Sequence, residues 1–270
     1  MDIKDYYDLA EDQLKGFTRS EVRTKIMLLL KEGSKTAAEL EKEMDVRAST
    51  ILHSMKDMVD SGLVAKRGTL YSLTNIGRIQ ALLLDELLSA IVLLSMHKDY
   101  WLNHDLSAIP DHLLTEIGSL SQSYIVSSDP TAPLKSLENF MEELSRSRIV
   151  RGVSSFIAPG FPEMIEGCVR GGAQVELILT EAILEIVSSE HRLLLWDLQR
   201  FDNFRLYELE EDIHIGFTVT ESLLALGLYR LDGGIDLGSE LVCIGPTATA
   251  WGSSLFEHYR ARSKPMSARI

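Results

Sequence analysis

Apolar residues recur at helical spacing near the start of the chain. Val22, Ile26, Leu29 and Leu30 predict a helix begun by Ser20 and stopped at Gly33. Thr36, with Glu39 three residues on, is the signature of a capping box and predicts a second helix with Leu40 and Met44 turned inward. After the turn Asp45-Val46-Arg47, the positions Ile51, Leu52, Met55, Met58 and Val59 predict a third, ending at Gly62. Leu63 to Leu73 reads as two short strands around a basic turn, and Thr74 starts another helix. From Asn75 to about Asn103 the pattern stays helical and is apolar on nearly all sides, so this helix needs partners on nearly all sides. Those partners are either its own core or a second subunit. Its longest apolar stretch, Ala81 to Met96, is interrupted by Asp85 and Glu86 and is short for a membrane span. A buried helix is expected.

After Pro110 the pattern changes. Strands are predicted at Ser123–Ser127, Ile149–Phe156, Gln174–Thr180, Phe204–Leu209, Ile213–Thr220 and Leu223–Leu231. Helices are predicted at Leu134–Ser145, Pro162–Gly171, Glu181–Val187, Glu190–Gln199 and Ala250–Arg262. Alternation of strand and helix in the first half implies parallel pairing, and the closely spaced later strands imply antiparallel hairpins. The expected fold is a two-domain α/β chain. A winged helix-turn-helix fills residues 1–78, a connecting or dimerising helix 79–107, and a mixed sheet flanked by helices 108–270.

Charge divides the chain in the same way. Its 270 residues carry a net charge of -13, which argues against a protein that coats nucleic acid. Residues 19–78 nevertheless hold eleven Lys/Arg against eight Asp/Glu. A mildly basic block inside an acidic chain fits one domain that touches phosphates and a remainder that does not. Cys168 and Cys243 cannot make a disulfide framework, and no apolar leader follows Met1, so a reduced, cytoplasmic protein is expected.

Within the basic block, the third helix offers Arg47, Ser49 and Thr50 in its first turn, with His53 and Lys56 beyond. Short polar groups there suit base edges and phosphates, and basic ones suit phosphates. Lys66 and Arg67 at the hairpin tip suit a wing laid along duplex DNA. In the second domain, Arg205, Tyr207, Thr218, Thr220, Tyr229 and Thr249 fall at predicted strand ends and helix starts, where open sheets take ligands. They are the candidates for a small polar or anionic effector. A partner protein docking on the acidic domain is the other reading.

Two chemistries find little footing. Neither cysteine lies in the basic block and the seven histidines are scattered, so no metal or cofactor is expected. Phospholipase-D catalysis needs a histidine two residues before a lysine, and no histidine here has one.

Residues 19–78, from Glu21-Val22-Arg23-Thr24-Lys25-Ile26 through Ser72-Leu73-Thr74, resemble an archaeal winged-helix regulator of the ArsR-like class. Trp101–Pro110, Ala158–Val169 and Trp251–Lys264 are similar to the methanogenesis-regulatory protein family. The later domain also looks like half of a phospholipase-D-type sheet. The resemblance implies a cytoplasmic, dimeric transcription regulator with a C-terminal sensor, binding double-stranded DNA and no membrane. The alternative is a phosphodiesterase-type enzyme fused to a winged helix.

Overall fold

A computed structural model describes residues 2–18, 20–127, 144–157, 159–236 and 238–266. By contact the chain divides into two units, Met1–Leu88 and Ser89–Ile270.

The first unit opens with α1 (Ile3–Thr18), a helix on which the hydrophobic pattern gave no expectation. Its Ile3, Tyr6, Tyr7 and Leu9 face solvent. Next comes α2 (Glu21–Glu32), where the Ser20 hydroxyl accepts the Arg23 N–H at 3.3 Å. Strand β1 (Lys35–Thr36) leads into α3 (Ala37–Met44). There the expected capping box forms: Glu39 N–H donates to the Thr36 hydroxyl, and Thr36 N–H donates to the Glu39 carboxylate at 2.7 Å. That bond holds the Glu39 carboxyl below its ordinary range.

Asp45 ends α3 in the left-handed region at φ 52°, and α4 (Ala48–Asp60) follows. Glu41 of α3 accepts the Ala48 N–H at 3.2 Å, so one helix satisfies an orphan donor of the next. Strands β2 (Val64–Arg67) and β3 (Leu70–Leu73) pair antiparallel, and β1 joins β3 on the other side. Only Gly68-Thr69 lies between the paired Arg67 and Leu70, with Gly68 at φ 64°, the residue such a two-residue turn demands. Ile26, Met27, Leu40, Ile51, Met55 and Met58 make the core. This is a winged helix-turn-helix.

Helix α5 (Asn75–Met96) starts tight against β2. A Cβ added to Gly77 would lie 2.1 Å from the Leu63 carbonyl oxygen, so only glycine fits there. Leu84 packs toward the winged-helix core, and Lys31 of α2 meets Asp85 at 2.6 Å. Within the single chain α5 is not buried. By length and composition α5 is apolar enough to cross a membrane, yet only 11% of its most apolar window is buried. The continuous helix expected to about Asn103 breaks at His97, and α6 (Lys98–Asn103) turns Tyr100 and Trp101 into the core of the second unit.

The second unit continues with α7 (Asp111–Leu114), a 3-10 turn at Ile117–Leu120, β4 (Ser123–Ser127) and β5 (Ile149–Ser154). Then come α8 (Phe161–Arg170), β6 (Gln174–Thr180), α9 (Glu181–Glu190), α10 (Arg192–Leu198) and β7 (Phe204–Leu209). Strands β8 (Ile215–Thr220), β9 (Leu223–Leu228) and β10 (Ser239–Ile244), helix α11 (Pro246–Arg260) and β11 (Lys264–Pro265) complete it. All but the last two residues of the helix expected at Leu134–Ser145 lie outside the described residues.

One sheet has the order β11-β7-β6-β5-β8-β9-β10-β4. Strands β5, β6 and β7 run parallel and the remaining pairs antiparallel. Parallel pairing needs crossovers, which α8 and the α9–α10 pair supply. Alternation splits the sheet into two cores. Val153, Ile178, Phe217, Val219 and Leu224 point to the α11 side, while Val150, Val175, Leu177 and Leu206 meet α8–α10. Strand β10 was not expected.

Candidate nucleic-acid interface and pockets of the second unit

On α4 the apolar positions Ile51, Met55 and Met58 are buried, which forces Ser49, Thr50, His53 and Lys56 outward. His53 is 79% exposed. Arg47 sits at the helix start, also exposed. Lys66 and Arg67 are exposed on the wing, and Lys66 lies 5.3 Å from the Tyr71 ring centroid. All seven expected DNA contacts thus stand on solvent-facing positions of α4, its cap and the wing.

The basic residues of α2, β1, α4 and the wing sort into two sets. On α2 and β1 each has a carboxylate: Arg23 with Asp57 at 2.5 Å, Lys25 with Glu21 at 2.5 Å, Lys31 with Asp85, and Lys35 with Glu43 at 2.9 Å. Among the described residues, Arg47, Lys56, Lys66 and Arg67 are in no ion pair. Cations on α2 and β1 are neutralised locally, and those on α4 and the wing are left for another anion; Lys42 of α3 and Arg78 of α5 are likewise in no ion pair among the described residues. The Arg23–Asp57 pair also withdraws the one acidic group beside His53.

The six effector candidates do not meet in one cavity. Arg205 and Tyr207 lie on the α11 side of the sheet, whereas Thr218 and Thr220 alternate to the other side and are buried. Arg205 is exposed. Tyr207 is buried, with the Arg260 guanidinium 3.7 Å from its ring centroid and its hydroxyl donating to Glu176. The Thr220 hydroxyl accepts the N–H groups of Ser222 and Leu223, shaping the β8–β9 turn. Thr249 lies in the first turn of α11 and donates to the Pro246 carbonyl.

Tyr229 leads to groups that the hydrophobic pattern did not single out. Its ring stacks on His214, centroids 4.9 Å apart. His214 Nδ1 lies 3.1 Å from Asp105, whose carboxyl is held below its ordinary range first by the Ser107 N–H. His214 also lines a pocket of about 390 Å³, together with His258, Tyr259, Glu211 and Arg262. Arg262 bridges Glu211 and donates to His258 Nε2 at 2.7 Å. Burial and the Arg262 charge push the His258 pKa down. His104 is buried and pairs with Asp236 at 3.0 Å while its Nδ1 donates to the Tyr100 carbonyl. The adjacent His104 and Asp105 therefore close two crossed His–Asp pairs, a geometry set by contacts over 100 residues away in sequence.

Burial pushes the thiols up, Cys243 to about 12. Among the described residues no group of three or more His, Cys, Asp or Glu is placed to hold a metal ion.

Comparison with known proteins follows the same division. Residues 11–92 match the N-terminal domain, and residues 133–262 the middle domain, of the methanogenesis regulatory protein FilR1. The chain is 34% identical over 258 residues to the methanogenesis regulatory protein FilR1 of Methanothrix harundinacea, covering 94% of this chain and 58% of that relative. Among solved structures it is similar to TrmBL2, an archaeal chromatin protein, at TM-score 0.43 and 14% identity over 90% of this chain and 92% of that one. It is also similar to the phospholipase D family member Nuc of Salmonella typhimurium, at TM-score 0.37 and 12% identity over 54% of this chain and 97% of that one.

Proposed function

Because the chain belongs to the methanogenesis regulatory protein family, we propose that it is a transcription regulator that binds duplex DNA through α4 and the wing. In this reading residues 1–78 hold the DNA, residues 79–107 join two copies, and residues 108–270 answer to a small-molecule effector in the cytoplasm without catalysis. The unpaired cations carry it: Arg47, Lys56, Lys66 and Arg67 project without carboxylate partners, while the cations of α2 and β1 are paired. Each that neutralises a phosphate releases a counterion and steepens the fall of log affinity with log salt.

Gel shifts across a salt series test this on the gene's own upstream region. Lys66→Ala with Arg67→Ala should weaken binding to every sequence and lower the salt slope by about 2. Thr50→Ala should change sequence preference instead. An unchanged slope in the double variant removes the wing from the interface.

The homodimer rests on the exposed face of α5. Ile76, Ile79, Leu83, Leu87, Ile91 and Leu94 follow one another at steps of three and four residues, and each is at least 43% exposed. That stripe has the spacing of a helix–helix seam and is long for a monomer to leave in water.

A second reading, an enzyme of phosphodiesterase type, draws on His214, whose ring is oriented by Asp105 and lines the 390 Å³ pocket. Against it, Gly216 stands two positions after His214, where that chemistry has a lysine. Hydrolysis of bis(4-nitrophenyl) phosphate that disappears in His214→Ala would favour the enzyme.

A further inference from the structure

We propose that the Ser89–Ile270 unit binds a small zwitterion, a free amino acid with an apolar side chain, in the cavity where α5 gives way to α6. This deepens the effector reading and rests on it only for the consequence, not for the binding itself.

The cavity measures about 680 Å³, within the roughly 300–1,000 Å³ of pockets that hold small molecules. Met96 of α5, Lys98, Asp99 and Tyr100 of α6, Ile125 of β4 and Arg230 all line it. Backbone pairing fixes these parts to one another. The Leu231 N–H donates to the Asn103 carbonyl at 3.0 Å and the Asp105 N–H to the Tyr229 carbonyl at 2.8 Å, so His104 and Arg230 stand paired at the end of α6. At the break itself, His97 Nε2 lies 3.1 Å from the Ser123 hydroxyl and holds the joint to β4. None of the six polar candidates read from the sequence lines this cavity.

Charge selects the occupant. Setting the histidines apart, the lining carries Lys98 and Arg230 against Asp99 and Asp236. Asp236 is engaged by the fold: it accepts from the Ser239 hydroxyl and the Gly238 N–H, and lies 3.0 Å from Nε2 of the buried His104. The other three are open to a ligand. Lys98 and Asp99 are exposed, and among the described residues neither side chain makes a hydrogen bond or ion pair. Arg230 reaches Asp232, which does not line the cavity, at a long 3.5 Å. A plain anion would leave Asp99 to repel it, and a plain cation would meet Lys98 and Arg230; juxtaposed like charges cost affinity. A zwitterion answers all three, its carboxylate on Lys98 and Arg230 and its ammonium on Asp99.

The remaining wall is apolar. The Tyr100 hydroxyl is held by the Leu226 carbonyl at 3.0 Å, so the residue offers its ring, beside Ile125. Met96 is 58% exposed, apolar surface that a ligand side chain would cover. Met96 and Lys98 flank the break, so an occupant touches the last turn of α5 and the first of α6 together.

The test is calorimetric titration of the full chain with L-leucine, and with isocaproate and isoamylamine, which are leucine without its ammonium and without its carboxylate. Saturable binding of leucine at millimolar concentration is expected, at least about fivefold tighter than either fragment. Asp99→Asn should remove its advantage over isocaproate. Lys98→Met with Arg230→Met should remove its advantage over isoamylamine. All three positions are exposed, so these variants keep the fold. No saturable binding, a fragment that binds as tightly as leucine, or variants that discriminate as the parent does overturn the site. DNA affinity measured with and without saturating leucine is a separate arm. Binding with unchanged DNA affinity leaves the site standing and overturns its role as effector site.

Discussion

Glycine shows at single residues how closely sequence and packing are coupled. Gly77 begins α5 where the chain leaves β3, and Thr74 clasps the same Leu63 carbonyl through its N–H and hydroxyl. An alanine there drives its Cβ into that backbone oxygen, so β2 and α5 must separate. Gly77→Ala should cost about 1–3 kcal/mol, the range of an overpacked core, read as a lower denaturation midpoint. Gly167, in the middle of α8, has nothing within 4 Å of its would-be Cβ. Gly167→Ala should instead stabilise by about 0.5–1 kcal/mol, because alanine loses less backbone entropy in a helix. Two glycines in helices, opposite signs. Equal effects would mean that local space is not what decides.

At the scale of elements, the winged helix was legible because each of its boundaries has a chemical marker. Ser20, the Thr36/Glu39 box, Gly62 and Gly68 all act in the structure as caps or turns. The later strands were legible by alternation, with β6 and β7 at the expected residues. Where markers fail, so did the reading. Strand β10 carries Glu240 amid Leu241, Val242 and Cys243, which blurs its period. Helix α1 went unread although Ile3, Tyr6, Tyr7 and Leu14 recur at helical spacing behind Asp2, whose carboxylate accepts the Lys4 and Asp5 N–H groups. The crossed His–Asp pairs were invisible for another reason: their members come together only through tertiary contacts. Helix α5 tests the element itself. Leu83→Glu with Leu87→Glu puts charges in the exposed stripe without touching the core-facing Ala81. Sedimentation at micromolar concentration should give twice the chain mass for the parent and the single-chain mass for the variant, with helix content retained. A parent that is monomeric there leaves α5 without its proposed partner.

The molecule as a whole carries an acidic excess, and the fold moves several of its carboxyls in opposite directions. Asp105, Glu221 and Asp236 are held below their ordinary range. Hydrogen bonds lower them, in each case against burial: from Ser107 for Asp105, from the Arg148 and Ile149 N–H groups for Glu221, and from Ser239, Gly238 and His104 for Asp236. Such groups contribute stability that is present above their unfolded values and lost as pH falls through the folded ones. Glu240 is the reverse. Burial alone raises it from 4.5 to about 7. Between those values the folded chain keeps a proton that the unfolded chain has released, so stability falls as pH rises from 4.5 to 7 and stays low above. Glu240→Gln removes the second trend only. It should leave stability at pH 4.5 nearly unchanged and raise it at pH 8, by at most about 3 kcal/mol and less in proportion to the solvent that reaches the half-buried carboxyl. Denaturation at the two pH values separates this from a packing effect. A packing effect shifts both midpoints equally, whereas a carboxyl relieved of its charge in the sheet shifts only the one at pH 8.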